Sequence, residues 1–373
     1  MIDQSERTEE SSSRPLFVVG YMHSGTTLLQ NILIKNSRVY SSRGETKFFE
    51  YFSMIAQRFP DVGPETRLDF VVFCLNLIRR GFTVAWKAAG QEVLPGSYEE
   101  LAKTSRHLES GLPSESDHVE IFARTFRYLA AREGATRWLE KTPTHVFHVE
   151  RIASSLPDAF FVEVVRDARD VLASKKTRRQ TVWTERYTPE QQPLKHLEKA
   201  YDPIWDCLSW QSAIRAGRSG SAIAPDRFLT LRYEDLVREP ETAVRRICGA
   251  LQMDFEASML VEVPWSNPAD WRRRDQRAGI RADSIGRWSQ NLTHGELAMC
   301  QFLVGRDLRR LGYDLQPAGA LSGFTSVFLL VKAVIDVPVR LYRKGRLGGP
   351  RLLAVFLRNY WNRFLNLTAR EGR

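Results

Sequence analysis

The sequence predicts an α/β protein in which a P-loop-like parallel sheet is flanked by helices and followed by a C-terminal helical appendage. Three observations support this fold class. A glycine loop joins the first apolar strand to a helix, further apolar strands alternate with helical segments, and a basic amphipathic tail ends the sequence. Because ligands of such sheets bind beyond the carboxyl ends of the strands, we expect the functional residues there.

The composition divides the 373 residues into three parts. Residues 1–14 are polar and lack the apolar core of a signal peptide, so we predict a disordered leader on a cytoplasmic protein. Residues 15–316 are predicted to form the α/β domain and residues 317–373 the tail. The cysteines lie far apart without a C-x-x-C pair, which indicates reduced core thiols: Cys74, Cys207, Cys248 and Cys300.

Apolar runs and the helices that follow them define the predicted sheet. The strands are expected at 16–19, 137–140, 160–165 and 228–232, with helices from 26, from about 145, over 168–179 and over 241–251. Residues 52–135 are mostly helical in pattern and hold no phosphate-type loop, so we expect them to form the lid or wall that meets a second substrate. The mixed polar and aromatic segments 180–192 and 262–282 are interpreted as loops over the site.

The net charge of +10 is concentrated in the tail. From Pro317 onward there are ten Lys or Arg residues and two acidic ones, so the domain is nearly neutral and nucleic acid is not expected as a partner.

A helix from Arg351 to Leu367 would have one apolar and one basic face, which suits a membrane surface. The alternative is that this face packs on the domain or on a second copy in a homodimer. The run "FTSVFLLVKAVIDVPV" is too short and too charged to span a bilayer.

The stretch "GYMHSGTT" has the outline of a phosphate loop without its lysine. Thr26 occupies the lysine position of the pattern G-x-x-x-x-G-K-[ST]. The backbone N–H groups of Ser24, Gly25, Thr26 and Thr27 are predicted to bind a phosphate at the N-terminus of the helix. Without the lysine, and without an acidic strand end suited to Mg²⁺, the loop favours a nucleotide shorter than a triphosphate and no metal.

A second group of phosphate-binding residues is predicted in "VEVVRDARDVLASKKTRR". Arg166 ends a strand, Ser174 lies about two turns along the next helix, and Arg178 one turn further. These three side chains can converge on another phosphate through charged hydrogen bonds. The alternative is a surface ion pair of Arg166 with Asp167 or Asp170.

Taken together, these motifs resemble the sulfotransferases that use 3′-phosphoadenosine 5′-phosphosulfate (PAPS). The resemblance covers about residues 15–312 and includes "LRYEDLVREPETAVRRIC" and "DSIGRW" in the family's order. It implies that the loop binds the 5′-phosphosulfate and that Arg166 binds the 3′-phosphate. It also implies that Tyr233 lies against the adenine, with core packing as the alternative, and that three residues close over the 3′-phosphate side: Ser284, Gly286 and Arg287.

The catalytic candidates follow from the same resemblance, which is to the tyrosylprotein sulfotransferase branch and its bacterial relatives. Glu45 has a spacing similar to that of the catalytic glutamate and is the expected general base. The alternative for this residue is a salt bridge with Lys47 or Arg43. Lys141 matches a lysine near the transferring group, where it offsets charge on the leaving oxygens, and Glu140 is expected to hold it in place.

His23 departs from the family pattern, because most relatives have Lys or Arg immediately before the serine or threonine of the loop. Histidine can assist the leaving oxygen if it is protonated or donates a neutral N–H. We therefore include it among both the catalytic and the donor-binding candidates. His145 and His148 are three residues apart, but without a third ligand a metal site is not favoured.

The predicted function is transfer of a sulfuryl group from PAPS to a hydroxyl acceptor. The acceptor is open: a carbohydrate, a lipid-linked glycan, a peptide tyrosine or a secondary metabolite. One alternative is a phosphoryl transferase that uses a nucleoside triphosphate, which Thr26 in the lysine position disfavours. Another is a non-catalytic nucleotide-binding membrane adaptor, which the presence of Glu45 and Lys141 disfavours.

Overall fold

A parallel five-stranded sheet forms the centre of the computed structural model, which describes residues 14–42, 44–64, 66–88, 98–113, 115–185, 201–264, 279–317 and residue 357. The strand order is β2-β3-β1-β4-β5. All four pairings between neighbouring strands are parallel. The strands are β1 (Leu16–Gly20), β2 (Val39–Ser41), β3 (Arg137–Lys141), β4 (Phe160–Val165) and β5 (Phe228–Arg232).

Helices cover both faces of the sheet. They are α1 (Thr26–Leu33), α2 (Phe52–Arg58), α3 (Arg67–Arg80), α4 (Phe82–Ala88), α5 (Tyr98–Ser110), α6 (His118–Arg132), α7 (Val149–Ser155), α8 (Ala168–Glu185), α9 (Pro203–Ile223), α10 (Tyr233–Arg238), α11 (Pro240–Leu251), α12 (Trp288–Asn291) and α13 (His294–Arg310). Short 3₁₀ helices span Pro143–His148, Pro225–Arg227 and Ala257–Leu260.

Two apolar cores lie on opposite faces of the sheet because successive side chains of a strand point to opposite sides. Phe17 and Val19 of β1 belong to the first core, which includes residues of α3, α6 and α9. Leu16 and Val18 belong to the second, which includes residues of α1 and α11. All of β1 and β4 is buried, as expected for strands covered on both faces.

The predicted α/β class is confirmed, and each of the four predicted strands lies within one residue of its observed bounds. The edge strand β2 was not predicted. The described part of 52–135 is mostly helical, as expected. All four cysteines are buried and free.

The predicted leader and tail lie outside the described residues, except for residue 14, residue 317 and residue 357. The predicted helix from Arg351 to Leu367 is therefore a prediction without a structural description. Across the described ranges, no helix combines the length and the apolar character needed to cross a membrane.

Candidate active site

The loop between β1 and α1 is shaped by two glycines with positive φ. Gly20 has φ 143°, and a Cβ there would lie 2.5 Å from the carbonyl oxygen of Val164 in β4. Gly25 has φ 98°, and a Cβ there would lie 2.3 Å from the ring of Tyr233. Any other residue at either position would strain the backbone and force a neighbour to move. The two glycines therefore bring the loop close to β4 and to the start of α10.

The N-terminus of α1 has the properties of an anion site. Gly25 is the N-cap, no side chain caps the helix, and its first turn contains no acidic residue. The first amides of a helix have no intrahelical acceptor, so those of Thr26 and Thr27 are available to a ligand. The hydroxyl of Ser24 is buried and has no hydrogen-bond partner among the described residues. A bound anion would satisfy these donors.

Arg166 follows directly after β4 and joins the loop to the segment around residue 284. Its guanidinium donates to the carbonyl oxygen of His23 at 3.1 Å and to that of Ser284 at 2.8 Å, and lies 4.4 Å from the ring centroid of Tyr233. The residue is buried, and its Nε has no partner within the described structure. Hydrogen bonds to two carbonyl oxygens thus replace the surface salt bridge considered as an alternative.

His23 and Ser174 bring the two predicted phosphate subsites together. The imidazole Nδ1 of His23 lies 3.1 Å from the hydroxyl oxygen of Ser174 in α8. His23 has φ 68°, a backbone conformation that residues other than glycine adopt less readily. The side chain of Arg178 lies outside the described part of the structure, so its predicted convergence with Arg166 and Ser174 stays a prediction.

Tyr233 packs beneath the loop at the end of β5. It is 3% exposed, and its hydroxyl forms a 2.6 Å hydrogen bond with that of Ser284. Burial raises the pKa of Tyr233, although Arg166 and Ser284 act to lower it, so the phenol is protonated at neutral pH. Its ring packs against Gly25, and the predicted contact of this ring with adenine stays a prediction.

The segment after residue 283 contacts α8 through a buried carboxylate. Asp170 accepts hydrogen bonds from the backbone N–H groups of Gly286 at 2.8 Å and Trp288 at 3.0 Å. Burial raises the pKa of Asp170 to about 6, although these bonds oppose the shift. Arg287 is exposed and donates hydrogen bonds to the carbonyl oxygen and the carboxylate of Asp283, so its role at the 3′-phosphate stays a prediction. Asp170 was not recognised in the sequence as an anchor for this segment.

Glu45 and Lys141 form an ion pair at the carboxyl end of β3, which pairs with β1. Lys141 is the last residue of β3, and its Nζ lies 3.1 Å from Glu45 Oε1. The lysine side chain is 3% exposed and that of Glu45 is 37% exposed. The carboxylate is therefore accessible to a ligand, while the cation is sequestered beneath it. The expected base and cation are thus brought together in one ion pair, whereas Arg43, one of the alternative partners of Glu45, lies outside the described residues.

The carboxylate of Glu140 does not contact the side chain of Lys141, so the expectation that it holds this lysine in place stays a prediction. This carboxylate faces the other side of β3, where it accepts hydrogen bonds from Thr46, Thr142 and His145. Nδ1 of His145 is therefore hydrogen-bonded to the carboxylate of Glu140. Within the described ranges, no group of three His, Cys, Asp or Glu side chains is arranged to hold a metal ion.

An aromatic stack lies beside the segment that carries Glu45. The backbone N–H of Phe82 donates to the carbonyl oxygen of Glu45 at 3.0 Å. The ring centroids of Tyr51 and Phe82 are 4.5 Å apart, and those of Phe82 and Trp86 are 5.5 Å apart. All three side chains are half-buried. Sequence reasoning assigned this region to a second substrate but did not identify the rings, because the contact of Tyr51 with Phe82 joins separate segments of the chain.

Comparisons with known proteins identify the family of this chain. Residues 15–257 match a family model described as "Sulfotransferase family". The omega-hydroxy-beta-dihydromenaquinone-9 sulfotransferase Stf3 of Mycobacterium bovis (strain ATCC BAA-935 / AF2122/97) is 28% identical over 263 residues, which is 65% of this chain and 64% of the relative. Stf3 of Mycobacterium tuberculosis (strain CDC 1551 / Oshkosh) matches equally. The chain thus spans 64% of the length of these curated relatives.

Among solved structures, the sulfotransferase domain from the Synechococcus PCC 7002 olefin synthase is 17% identical, with a TM-score of 0.47. The match covers 82% of this chain and 97% of that domain.

Proposed function

Because this chain belongs to the sulfotransferase family, we propose that it transfers a sulfuryl group from PAPS to a hydroxyl acceptor. The observation that carries the proposal is the arrangement at the carboxyl ends of β1 and β3. A phosphate loop without a lysine stands beside a carboxylate whose cationic partner is 3.1 Å away. A sulfuryl donor has no γ-phosphate, so the loop needs neither the lysine of a triphosphatase nor a metal.

We assign the two ends of the donor to two groups of residues. The 5′-phosphosulfate is bound by the loop residues His23, Ser24, Gly25, Thr26 and Thr27. The adenosine and its 3′-phosphate are bound by Arg166, Ser174, Arg178, Tyr233, Ser284, Gly286 and Arg287. Support for this assignment comes from buried polar atoms that have no partner in the described structure, the hydroxyl of Ser24 and Nε of Arg166.

The proposed reaction is an in-line displacement at sulfur. Glu45 accepts the proton of the acceptor hydroxyl while the acceptor oxygen forms a bond to sulfur. The bond from sulfur to the bridging oxygen breaks, and 3′-phosphoadenosine 5′-phosphate leaves. Lys141 offsets charge on the oxygens of the transferred group, and His23 donates a hydrogen bond to the departing oxygen.

For the acceptor we propose a hydroxylated molecule with an apolar body. The half-buried rings of Tyr51, Phe82 and Trp86 offer such a molecule apolar contacts close to Glu45. The Stf3 relatives, whose name refers to an omega-hydroxylated dihydromenaquinone, support a lipid-like acceptor. A carbohydrate, a lipid-linked glycan, a peptide tyrosine and a secondary metabolite are the alternatives.

A lipid-like acceptor is compatible with the proposed location of the protein. We propose that it is cytoplasmic and that its basic tail attaches it to the inner face of the membrane. The tail carries most of the excess positive charge, which would be attracted to anionic lipid. Packing of the tail on the domain or within a homodimer remains the alternative.

The deciding experiment is a PAPS-dependent mass increase of one SO₃ group in an acceptor. The purified protein is incubated with PAPS and a panel of hydroxylated lipids, glycans and tyrosine peptides, with and without a chelator. Transfer that persists with the chelator supports the proposal. Turnover of a nucleoside triphosphate that requires Mg²⁺ would instead support a phosphoryl transferase, and nucleotide binding without transfer would support an adaptor.

A further inference from the structure

A buried hydrogen-bond network lies beneath the pair of Glu45 and Lys141. Glu140 is fully buried, and its Oε1 accepts hydrogen bonds from the hydroxyls of Thr46 at 2.7 Å and Thr142 at 2.6 Å. Its Oε2 lies 2.8 Å from Nδ1 of His145. Because a carboxylate accepts hydrogen bonds, Nδ1 of His145 carries the hydrogen. Four polar side chains from two separate segments are thus connected in an apolar environment.

The charge of Glu140 is stabilised by these contacts. Burial acts to raise the pKa of its carboxyl, but the His145 imidazole and the donors from Thr142 and Thr46 outweigh it and hold the pKa below its ordinary value. Glu140 is therefore a carboxylate at neutral pH. A buried carboxylate satisfied on both oxygens fixes its donors more tightly than a neutral acceptor does.

The network holds the immediate neighbours of both proposed catalytic residues. Glu45 precedes Thr46 in the chain, and Lys141 lies between Glu140 and Thr142. The hydroxyl of Thr142 also accepts a hydrogen bond from the backbone N–H of Lys47 at 3.2 Å. The segments that carry Glu45 and Lys141 are therefore joined by the carboxylate of Glu140 and by the bond of Lys47 with Thr142.

We propose that Glu140 is a positioning residue, which fixes Glu45 and Lys141 relative to each other through Thr46 and Thr142. The effect of Glu140 on catalysis rests on the proposed sulfuryl transfer. Its effect on the geometry of the ion pair does not depend on that function. His145 completes the network by donating a hydrogen bond to the second oxygen of the Glu140 carboxylate. Its ring also packs edge-on against Phe49, with centroids 5.4 Å apart. Glu140 itself touches neither donor nor acceptor in this proposal.

The first test compares Glu140→Gln with a matched control. Glu163→Gln serves as the control. Glu163 is buried in β4, which β1 separates from β3, and it is bonded to Thr230 and not to either residue of the ion pair. We expect Glu140→Gln to lower kcat by about 10- to 100-fold, as typical for residues that orient a catalytic group, with the KM for PAPS changed less than about twofold. The control should leave both constants near those of the wild type. A folded Glu140→Gln protein with wild-type kcat would overturn the proposal.

A double-mutant cycle separates positioning from a general structural role. If Glu140 acts through the base, Glu140→Gln should have little further effect on kcat in a Glu45→Gln background. Independent, multiplicative losses would contradict the proposal. If Glu140→Gln does not fold, Thr46→Val removes one donor with little change of shape, and the same non-additivity with Glu45→Gln is expected.

A readout without turnover distinguishes failure of this inference from failure of the proposed function. The rate at which an amine-reactive acylating reagent modifies Lys141 is measured by mass spectrometry. This rate reports on the ion pair, because the lysine side chain is sequestered in it. We expect faster acylation in Glu140→Gln than in the wild type and in Glu163→Gln. Faster acylation in a protein that transfers no sulfuryl group would retain the positioning role and remove the catalytic one. Equal acylation rates would remove the positioning role itself.

Discussion

The imidazole Nδ1 of His23 lies 3.1 Å from the hydroxyl oxygen of Ser174. The carbonyl oxygen of the same histidine accepts a hydrogen bond from Arg166. One loop residue therefore contacts two side chains that we assign to the opposite end of the nucleotide. In this arrangement, side-chain changes at His23 and at the residues around it should have separable effects on turnover and on binding.

The first prediction concerns His23 itself. His23→Ala should lower kcat more than it weakens PAPS binding, because charge on the leaving oxygen develops in the transition state. The loss of a charged hydrogen bond is worth roughly 1.5–3 kcal/mol, or about 10- to 100-fold. His23→Arg should retain activity. Steady-state kinetics and nucleotide titration test this, and a higher KM for PAPS at unchanged kcat would count against the assignment.

The second prediction concerns the 3′-phosphate. Arg166→Ala should weaken PAPS binding by about 10- to 100-fold, the worth of a lost charged hydrogen bond. The loss should be much smaller for adenosine 5′-phosphosulfate, which lacks the 3′-phosphate. Arg166→Lys retains the charge without the fork of donors and should be intermediate. Calorimetric titration of both nucleotides provides the measurement, and equal losses for the two would refute the role of Arg166.

The third prediction concerns the general base. Glu45→Gln should lower kcat by about 10²–10⁴, the usual contribution of a positioned base, while PAPS affinity stays near that of the wild type. Glu50→Gln provides a control on the same segment, since Glu50 bonds Thr144 and not Lys141. Turnover and nucleotide affinity are measured on the same preparations. Wild-type turnover in Glu45→Gln would transfer the role to another residue.

The fourth prediction concerns stability and pH. Burial raises the pKa of Glu163 to about 8 from an ordinary value of 4.5, against the opposing effects of Thr230 and Arg218. Between these two pH values the folded protein retains a proton that the unfolded chain releases. The contribution of Glu163 is therefore fully present below pH 4.5 and is lost as the pH rises through about 8.

Glu163→Gln should remove this dependence, because the amide does not ionise. The thermal midpoint of the variant should exceed that of the wild type above pH 8 and lose this advantage near pH 5. Glu133→Gln, a change at an exposed glutamate, controls for the loss of one carboxylate. Parallel midpoint curves for wild type and Glu163→Gln across this range would disprove the assignment.

The fifth prediction concerns the tail. Truncation after Pro317 should preserve PAPS binding, because the proposed donor residues all lie before it. It should abolish cosedimentation with anionic liposomes at low salt, since the basic residues that attract such lipid are removed. Neutral liposomes serve as the control. A full-length protein that never cosediments would favour packing of the tail on the domain or on a second subunit.

The strands most accessible to sequence reasoning are those with continuous apolar runs. Phe160–Val165 is such a run, and its bounds were predicted without error. The edge strand Val39–Ser41 has three residues and a single aliphatic side chain, so no periodicity distinguishes it from a loop. Its pairing with β3 depends on a connection of almost a hundred residues, which local sequence does not encode.

The candidate site was predictable at the level of motifs and not at the level of contacts. Glycine spacing and the strand end before Arg166 identify the two anion subsites. The bond between His23 and Ser174 joins residues 151 positions apart, so neither motif alone predicts it. Glu140 is adjacent to Lys141, yet alternation along β3 directs it to the other face of the sheet, which explains why the expected contact between them is absent.

The strand order β2-β3-β1-β4-β5 brings together site residues that come from separate stretches of the chain. The residues assigned to the donor come from β1, β4, β5 and the segment after residue 283. The base and the aromatic stack come from the single stretch between β2 and β3. Recombination between relatives can therefore exchange acceptor choice, together with its own base, as one inherited block. The contacts that a chimaera must conserve include the buried bond of Thr46 with Glu140, the bond of Lys47 with Thr142 and the bond of Glu50 with Thr144.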